Sequence, residues 1–267
     1  MAGRNLDKSL LSNYAEYYDA ASFLPQQRDV EEVRRFAAIA TAQGSSLDVL
    51  DVGCAEGELS LLLAQQGHRV TAADISPSFL AQARRRADSK GVVISTSLLD
   101  VEKAPKSTLL NSFDVIFFMD VIEHLRSPAL GLVTLRSMLR DSGILVIHTP
   151  NLGSAAQVYR SSKFRKRREN YFDPRNLGDL HLQGYDYQTL EKALNFAGLK
   201  TVDIVPTIIS LPVLYRFAWA KQLEQWLARV FPLVSDTLLV TCRKTAPLDM
   251  DAQIDFWKKN GSGVLPR

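Results

Sequence analysis

The chain has 267 residues, of which 46% are hydrophobic, and its 32 basic and 29 acidic side chains leave a net charge of +3. This length and composition are typical of one α/β domain or two small ones, and the charge is too small to indicate a nucleic-acid partner by itself. No run approaches the roughly 18 apolar residues of a membrane span, and the N-terminal segment lacks the apolar core of a signal peptide. Cys54 and Cys242 show neither disulfide nor metal-ligand spacing. We therefore expect a cytoplasmic protein.

The first 44 residues are predicted to form an N-terminal helical cap. Leu10, Leu11, Tyr14 and Tyr18 recur at helical spacing, and "DVEEVRRFAAIA" continues the pattern after Pro25.

Strands and helices then alternate from residue 45 onward. Strands are predicted at "LDVLDVG", "HRVTAADIS", "VVISTSLLD", "FDVIFFMD" and "GILVIHTPN", and helices at "ELSLLLAQQG", "PSFLAQARRRADSKG" and "PALGLVTLRSMLRDSG". This alternation indicates βαβ units in a parallel sheet. Right-handed crossovers place the loops that follow the strands along one edge, which is where α/β proteins bind their ligands.

The regular alternation ends after Asn151. A long connection leads to the helix "YQTLEKALNFAGL", and the strands "KTVDIVPT" and "SDTLLVTCRK" flank an amphipathic helix at residues 213–231. Because no regular βαβ unit joins these last two strands, we expect them to pair as a hairpin, with one antiparallel strand in the sheet.

A glycine turn and two acidic residues predict the ligand. Gly53 and Gly57 lie between the first strand and the first helix, but the G-x-x-x-G spacing does not meet the dinucleotide fingerprint. Glu56 in this turn would repel a phosphate and suit a cationic ligand. Asp74 ends the second strand, where an acid can accept from both ribose hydroxyls, and Asp100 ends the third, where it can accept from an adenine amine.

S-adenosylmethionine fits this pattern, because it joins an adenosine to a sulfonium and an amino-acid end without phosphates. Other interpretations remain open for each residue taken alone. The two glycines can serve a tight turn, Asp51 can order the loop by accepting backbone N–H bonds, and Asp74 can belong to the N-cap of the helix that starts in "DISPS".

Six segments together resemble class I S-adenosylmethionine-dependent methyltransferases. They are "LDVLDVGCAEG", "VTAADIS", "SLLDVEKAP", "FDVIFFMDVIEHL", "GILVIHTPN" and "YDYQTLEKALNFAGL", in the family order, over about residues 45–200. The "DVIEHL" and "HTPN" forms resemble the branch that acts on quinone precursors, sugars and other small molecules.

The resemblance supports an α/β fold with a Rossmann-like, doubly wound sheet of about seven strands, mostly parallel with an antiparallel last strand. We expect N-terminal helices over residues 1–44, a methyltransferase domain over 45–245 with acceptor-side insertions at 151–235 before the last strand, and a C-terminal tail over 246–267.

The resemblance also implies which residues contact the cofactor. In the family, the glycine loop contacts the methionine portion, the acid after the second strand holds the ribose, and residues after the third and fourth strands contact the adenine and the donor. Ala55 departs from the middle glycine of many members and is small enough to be tolerated. The implied contacts are Asp51, Gly53, Cys54, Ala55, Gly57, Asp74, Ile75, Leu99, Asp100, Met119 and Asp120.

The four histidines are candidates for a general base, which suits methyl transfer to a hydroxyl near neutral pH. His181 ranks first, because related small-molecule methyltransferases often have a histidine here at the substrate cleft. His148 on the fifth strand comes second, with a satisfied interior histidine as the alternative. His124 is third and can instead fix its own loop, and His68 is expected at the surface, at the opposite edge. No metal is expected, because the carboxylates show no ligand spacing.

Two features bear on the acceptor. "RSSKFRKRR" places six basic residues at positions 160–168. They can grip a phosphate group or face an anionic membrane or RNA, although a solvated loop is the commoner explanation. Five apolar residues recur at helical spacing, which suits a bilayer interface or packing within the domain or a homodimer. They are Tyr215, Trp219, Leu223, Trp226 and Val230.

Contacts with the acceptor are predicted for Tyr18, Asn151, Arg165, Arg168 and Tyr185. We expect methyl transfer to a small molecule, first to a hydroxyl of a sugar or lipid-linked saccharide. A quinone-type phenol and a non-catalytic adenosylmethionine-fold binding protein are the alternatives. Nucleic acid is not expected as a partner, since no aromatic and basic platform appears, and a peripheral position at the inner membrane face is compatible with both acceptor features.

Overall fold

The computed structural model of the chain describes residues 30–154, 182–209 and 219–245. Its strands are β1 (Asp48–Val52), β2 (Arg69–Asp74), β3 (Ser95–Leu98), β4 (Phe113–Met119), β5 (Leu139–Pro150), β6 (Leu199–Ile204) and β7 (Thr237–Lys244). Its helices are α1 (Val30–Thr41), α2 (Glu58–Gln65), α3 (Pro77–Ser89), α4 (Pro128–Met138), α5 (Tyr187–Phe196) and α6 (Ala220–Val230).

The seven strands form one sheet in the order β3-β2-β1-β4-β5-β7-β6. Strands β1 to β5 pair in parallel, whereas β7 runs antiparallel to both β5 and β6. The prediction of a mostly parallel sheet with an antiparallel last strand is therefore confirmed. The strand order reverses between β1 and β4, which places a crevice at the carboxyl ends of these strands, where doubly wound proteins bind ligands.

The predicted boundary between the fourth helix and the fifth strand is wrong. The helix was expected to continue to Gly143, but α4 ends at Met138 and β5 begins at Leu139. Leu139 is fully buried and pairs with Phe113 before the register shifts across a bulge. Burial of Leu139 in the core thus outweighs the helical pattern of its neighbours, and the bulge accommodates the extra residues.

Helices cover both faces of the sheet and bury two layers of core, because β1, β4 and β5 present alternate side chains to opposite faces. On one face, residues of β4 and β5 pack against α4 and α5; this layer includes Ile116, Phe118, Ile147, Leu132, Leu135, Leu190 and Leu194. On the other face, the sheet packs against α1 and α2; this layer includes Val115, Phe117, Val146, Val33, Phe36, Ala40, Leu59 and Leu63. Helix α1 is therefore attached directly to the sheet, beside the crevice.

Candidate active site

The glycine turn after β1 has an unusual backbone. Gly53, Ala55 and Gly57 have φ angles of 73°, 46° and 79°, a left-handed region that glycine adopts without steric cost. A Cβ atom at Gly53 would lie 2.3 Å from Cγ2 of Val121, and one at Gly57 would lie 2.9 Å from Cβ of Ala83. Both glycines are thus needed to pack the turn against the protein itself, whether or not a ligand also approaches it.

Two buried carboxylates hold this turn in place. Asp51 accepts a 2.6 Å hydrogen bond from Oγ of Ser60 in α2. Asp74 accepts from the backbone N–H of Ala55 at 3.0 Å and from that of Ser76 at 2.9 Å. Each carboxylate oxygen can accept two hydrogen bonds, and this carboxylate is the one expected to hold the ribose. Ser76 is the N-cap residue of α3, and Asp74 accepts from its N–H, so Asp74 also belongs to the N-cap region of this helix.

Two further side chains of the turn have roles that the sequence did not reveal. Glu56 forms a 2.9 Å ion pair with Arg86 of α3, so its charge already has a partner and is weaker support for a cationic ligand than expected. Cys54 is buried, and burial is the main cause that raises the pKa of its thiol. This thiol therefore stays protonated and serves as a small packing group.

The end of β3 offers an apolar contact and an acid. Strand β3 ends at Leu98, one residue before Leu99, and Leu99 is buried in the core. The carboxylate of Asp100 accepts from the N–H of Glu102 at 3.0 Å and lies 3.0 Å from Nζ of Lys103. Leu98 was not predicted as a contact, but it is exposed and pairs with Asp74 in the sheet; its place at the end of the third predicted strand was the signal available in the sequence.

The end of β4 is joined to β5 and to helix α1. Buried Met119 pairs with His148 across the two strands. Asp120 has a φ of 55°, and its carboxylate lies 2.7 Å from Nδ1 of His148. The other ring nitrogen of His148 lies 3.5 Å from a carboxylate oxygen of Glu32. His148 therefore faces two carboxylates inside the protein, which disfavours direct contact with an acceptor.

Two predicted acceptor contacts, Asn151 and Tyr185, are buried near the carboxyl end of β5. Asn151 is fully buried, and its amide donates to the carbonyls of Leu233 and Ser235 at 2.9 and 2.7 Å. Tyr185 is buried as well, and burial, followed by the charge of Glu123, raises its pKa to about 12. Asn151 therefore fastens the turn before β7 to the edge of the sheet, and Tyr185 remains an uncharged phenol.

His124 is the histidine at this edge that the described structure leaves accessible. It lies half-buried in the short 3-10 helix Ile122–His124, directly after β4. Its neighbour Glu123 is buried and accepts from Oγ1 of Thr149 at 3.0 Å. Four other predicted residues lie outside the described ranges: His181, Tyr18, Arg165 and Arg168.

The opposite edge of the sheet contains a cavity of about 940 Å³. His68 on this edge was expected at the surface, but it is buried, and burial lowers its pKa. The cations of the cavity already have partners, since Arg69 pairs with Asp48 at 2.6 Å and Arg140 with Asp114 at 2.7 Å. It lies at the amino ends of the strands, away from the glycine turn, and we do not assign the cofactor to it.

Within residues 30–154, 182–209 and 219–245, no group of three or more histidine, cysteine or acidic residues is arranged to hold a metal ion. In the same parts of the chain, no helix is long and apolar enough to cross a membrane.

Comparison with known proteins agrees with this geometry. A family model described as a methyltransferase domain matches residues 21–204. The chain is 39% identical over 106 residues to the ubiquinone biosynthesis O-methyltransferase of Histophilus somni, covering 39% of this chain and 44% of that protein. It is 29% identical over 164 residues to the enzyme of the same name from Actinobacillus pleuropneumoniae serotype 7, covering 53% and 70% of the two chains.

The solved structure of magnesium protoporphyrin IX methyltransferase from Synechocystis PCC 6803, with bound S-adenosylhomocysteine, has a similar fold. Its TM-score is 0.57 at 16% identity, and the match covers 89% of this chain and 95% of that one. At this identity the likeness concerns the fold alone. The sequence match to the Histophilus somni relative spans less than half of that protein.

The residues at the carboxyl edge suit the expected methyl donor. The carboxylate of Asp74 follows β2, between the glycine turn after β1 and Asp100 after β3, so the three features expected to contact the donor lie along neighbouring strand ends. The family match covers more than half of the chain. The chain belongs to the methyltransferase-domain family.

Proposed function

We propose that this enzyme transfers a methyl group to a hydroxyl of a small phenolic acceptor of the quinone-precursor type. The observation that carries the proposal is the sequence match to relatives named ubiquinone biosynthesis O-methyltransferase. The site is compatible with it, because a half-buried histidine lies directly after β4, at the edge to which we assign the donor. This reverses the order of the sequence-based expectation, in which a sugar or lipid-linked saccharide came first.

The chain's own residues have two tasks in this reaction. When bound, S-adenosylmethionine supplies a methyl group that is already activated by its sulfonium, so positioning of the acceptor oxygen is the main requirement. We assign the proton of that oxygen to His124, which suits a general base near neutral pH. Buried Glu123, held by Thr149, fixes the turn that carries His124.

Replacement of His124 by glutamine should lower kcat by about 30-fold, less than the 10²–10⁴-fold of a typical general base, because a phenol is more acidic than an alcohol and needs less help to lose its proton. Affinity for S-adenosylhomocysteine should stay within about twofold. Turnover with a phenolic acceptor and calorimetric titration measure the two quantities separately. His68→Gln, at the opposite edge, is the matched control. Unchanged turnover of the His124 variant would exclude this residue as the base.

An apolar surface next to the active edge supports an acceptor with an apolar tail. Helix α6 and the turn after it expose six large apolar side chains, and Asn151 fastens that turn to the end of β5. Trp226 is 57% exposed, and tryptophan favours the boundary between lipid and water. The exposed side chains are Trp219, Trp226, Val230, Phe231, Leu233 and Val234.

We propose that this apolar surface contacts an anionic membrane in which a lipophilic acceptor is dissolved. Exposed Arg229 lies near Trp226 on the helix and provides charge complementarity to anionic lipid. Six half-exposed side chains offer on the order of 500 Å² of apolar area, which is below the roughly 800 Å² per partner of a stable protein interface. A second copy of the chain is therefore a weaker candidate for this surface.

The protein should float with vesicles that contain anionic phospholipid at low salt, and the double variant Trp226→Ser with Val230→Ser should lose most of that binding. Val93→Ser is a suitable control, because Val93 is 90% exposed but lies at the opposite edge. Absence of flotation at low salt would remove the membrane proposal. A concentration-dependent dimer that the double variant abolishes would assign the surface to a second copy instead.

The acceptor class itself is tested by incubating the enzyme with S-adenosylmethionine labelled in its methyl group. Phenols of the quinone-precursor type, with and without an apolar tail, are compared with sugars and a lipid-linked saccharide. We expect label on the phenolic oxygen, with a lower KM for the tailed phenol. Label on the saccharides alone would indicate a sugar or lipid-linked saccharide acceptor and contradict the proposed phenolic acceptor.

A further inference from the structure

Helix α1 reaches the active edge through one carboxylate. It packs on the sheet through Val33 and Phe36. Glu32 on the same helix lies 3.5 Å from Nε2 of His148 in β5, an ion-pair distance at which Nε2 makes no hydrogen bond to any described residue. No part of the sequence pattern predicted this contact, because Glu32 reads as an ordinary acidic residue in the first turn of a helix.

His148 transmits this contact to the end of β4. Its side chain is 5% exposed, and its ring lies against Phe36 with the ring centres 5.2 Å apart. Two contacts then fix Asp120. Its carboxylate lies 2.7 Å from Nδ1 of His148, and its backbone N–H donates to the carbonyl of His148 at 2.9 Å. A rotation of the imidazole would therefore break the side-chain contact with Asp120, whereas the backbone hydrogen bond does not depend on the ring.

Asp120 has a backbone conformation that needs such support. Its φ of 55° lies in the left-handed region, which is sterically disfavoured for a non-glycine residue and persists where the surroundings enforce it. The next residue, Val121, occupies the space that a Cβ atom at Gly53 would need. The conformation of Asp120 thus sets the position of Val121 against the glycine turn.

We infer that Glu32 and His148 are positioning residues for the cofactor site. Glu32 fixes the imidazole of His148, the imidazole fixes Asp120, and Asp120 places Val121 against the turn that receives the donor. The docking of helix α1 is therefore coupled to the affinity of the site for its cofactor. This inference goes beyond the proposed phenol chemistry and does not depend on which acceptor the enzyme uses.

A double-mutant cycle tests this coupling, with calorimetric titration of S-adenosylhomocysteine as the readout. The variants are Glu32→Gln, Asp120→Asn and their combination. We expect each single variant to bind about fivefold more weakly, and the double variant to be no weaker than Asp120→Asn alone, because residues that act through one chain are not additive. Glu32→Asp, which keeps the carboxylate, should recover part of the affinity.

Glu31→Gln is the matched control, since Glu31 is the adjacent acid but pairs with Arg34 on the exposed side of α1. The Glu31 variant should bind S-adenosylhomocysteine with the affinity of the unchanged protein. Losses that add in the double variant, or an equal loss in the Glu31 variant, would overturn the inference, and so would unchanged affinity of Glu32→Gln. Thermal unfolding of each variant separates a local effect from general destabilisation. Because the readout is cofactor binding, failure of the phenol proposal would leave this result unaffected.

Discussion

Gly53→Ala should abolish measurable binding of S-adenosylhomocysteine and lower the stability of the fold. A left-handed φ costs alanine about 1–2 kcal/mol, and the new Cβ atom would lie 2.3 Å from Cγ2 of Val121, an overlap that costs typically a further 1–3 kcal/mol. The turn relieves this overlap only by moving away from Val121. The backbone that is assigned to the methionine portion of the cofactor then no longer has its native position.

Calorimetric titration and thermal unfolding measure the two effects of this substitution. Gly91→Ala is the matched control, because Gly91 has a similar φ of 63° but nothing within 4 Å of the new Cβ atom. The Gly91 variant should be destabilised by a comparable backbone strain and should retain its affinity for S-adenosylhomocysteine. Adding Val121→Ala to Gly53→Ala should restore part of the affinity. Native affinity in Gly53→Ala, or a loss of binding in Gly91→Ala, would contradict the assigned role of the contact.

Asp74→Asn should weaken binding of S-adenosylhomocysteine by roughly several hundredfold, since hydrogen bonds to charged groups contribute about 1.5–3 kcal/mol each. The carboxylate accepts from the N–H groups of Ala55 and Ser76, and we assign the ribose hydroxyls to the same carboxylate. An asparagine has one acceptor oxygen and turns its amide donors toward one of these groups. It therefore loosens the glycine turn and loses the ribose contact together.

The control for this change is Asp88→Asn, which alters an exposed acid in α3. Titration with adenosine in addition to S-adenosylhomocysteine separates the two roles of Asp74. If the ribose contact dominates, both ligands lose affinity by a similar factor. Affinity within threefold of the unchanged protein for both ligands would show that Asp74 does not hold the ribose.

The sequence predicts the sheet well because its signals are local. Buried strands read as short apolar runs, and glycines such as Gly67 and Gly91 end the helices between them with left-handed backbone. The same signals place Asp74 and the glycine turn at one edge, since parallel strands end together. They fail at Leu139, where the pairing with Phe113 and burial in the core decide the start of β5.

The contacts that define the site arise from residues far apart in the chain, and no local pattern indicates them. Asn151 resembles an acceptor ligand in the sequence but has its amide bound to Leu233 and Ser235. His148 resembles a free base, yet Glu32 and Asp120 flank its ring. Polar residues at a strand end are candidates for binding and for fastening neighbouring loops alike, and only the folded arrangement distinguishes the two.

A crystal structure with S-adenosylhomocysteine bound tests the central claim most directly, because the sheet offers two edges to a ligand. We predict that the ribose hydroxyls lie about 3 Å from the carboxylate of Asp74, a normal hydrogen-bond distance, with the adenine against Ile75 and Asp100. Density for the nucleoside at the opposite edge, in the cavity beside His68 and Arg69, would contradict the assignment.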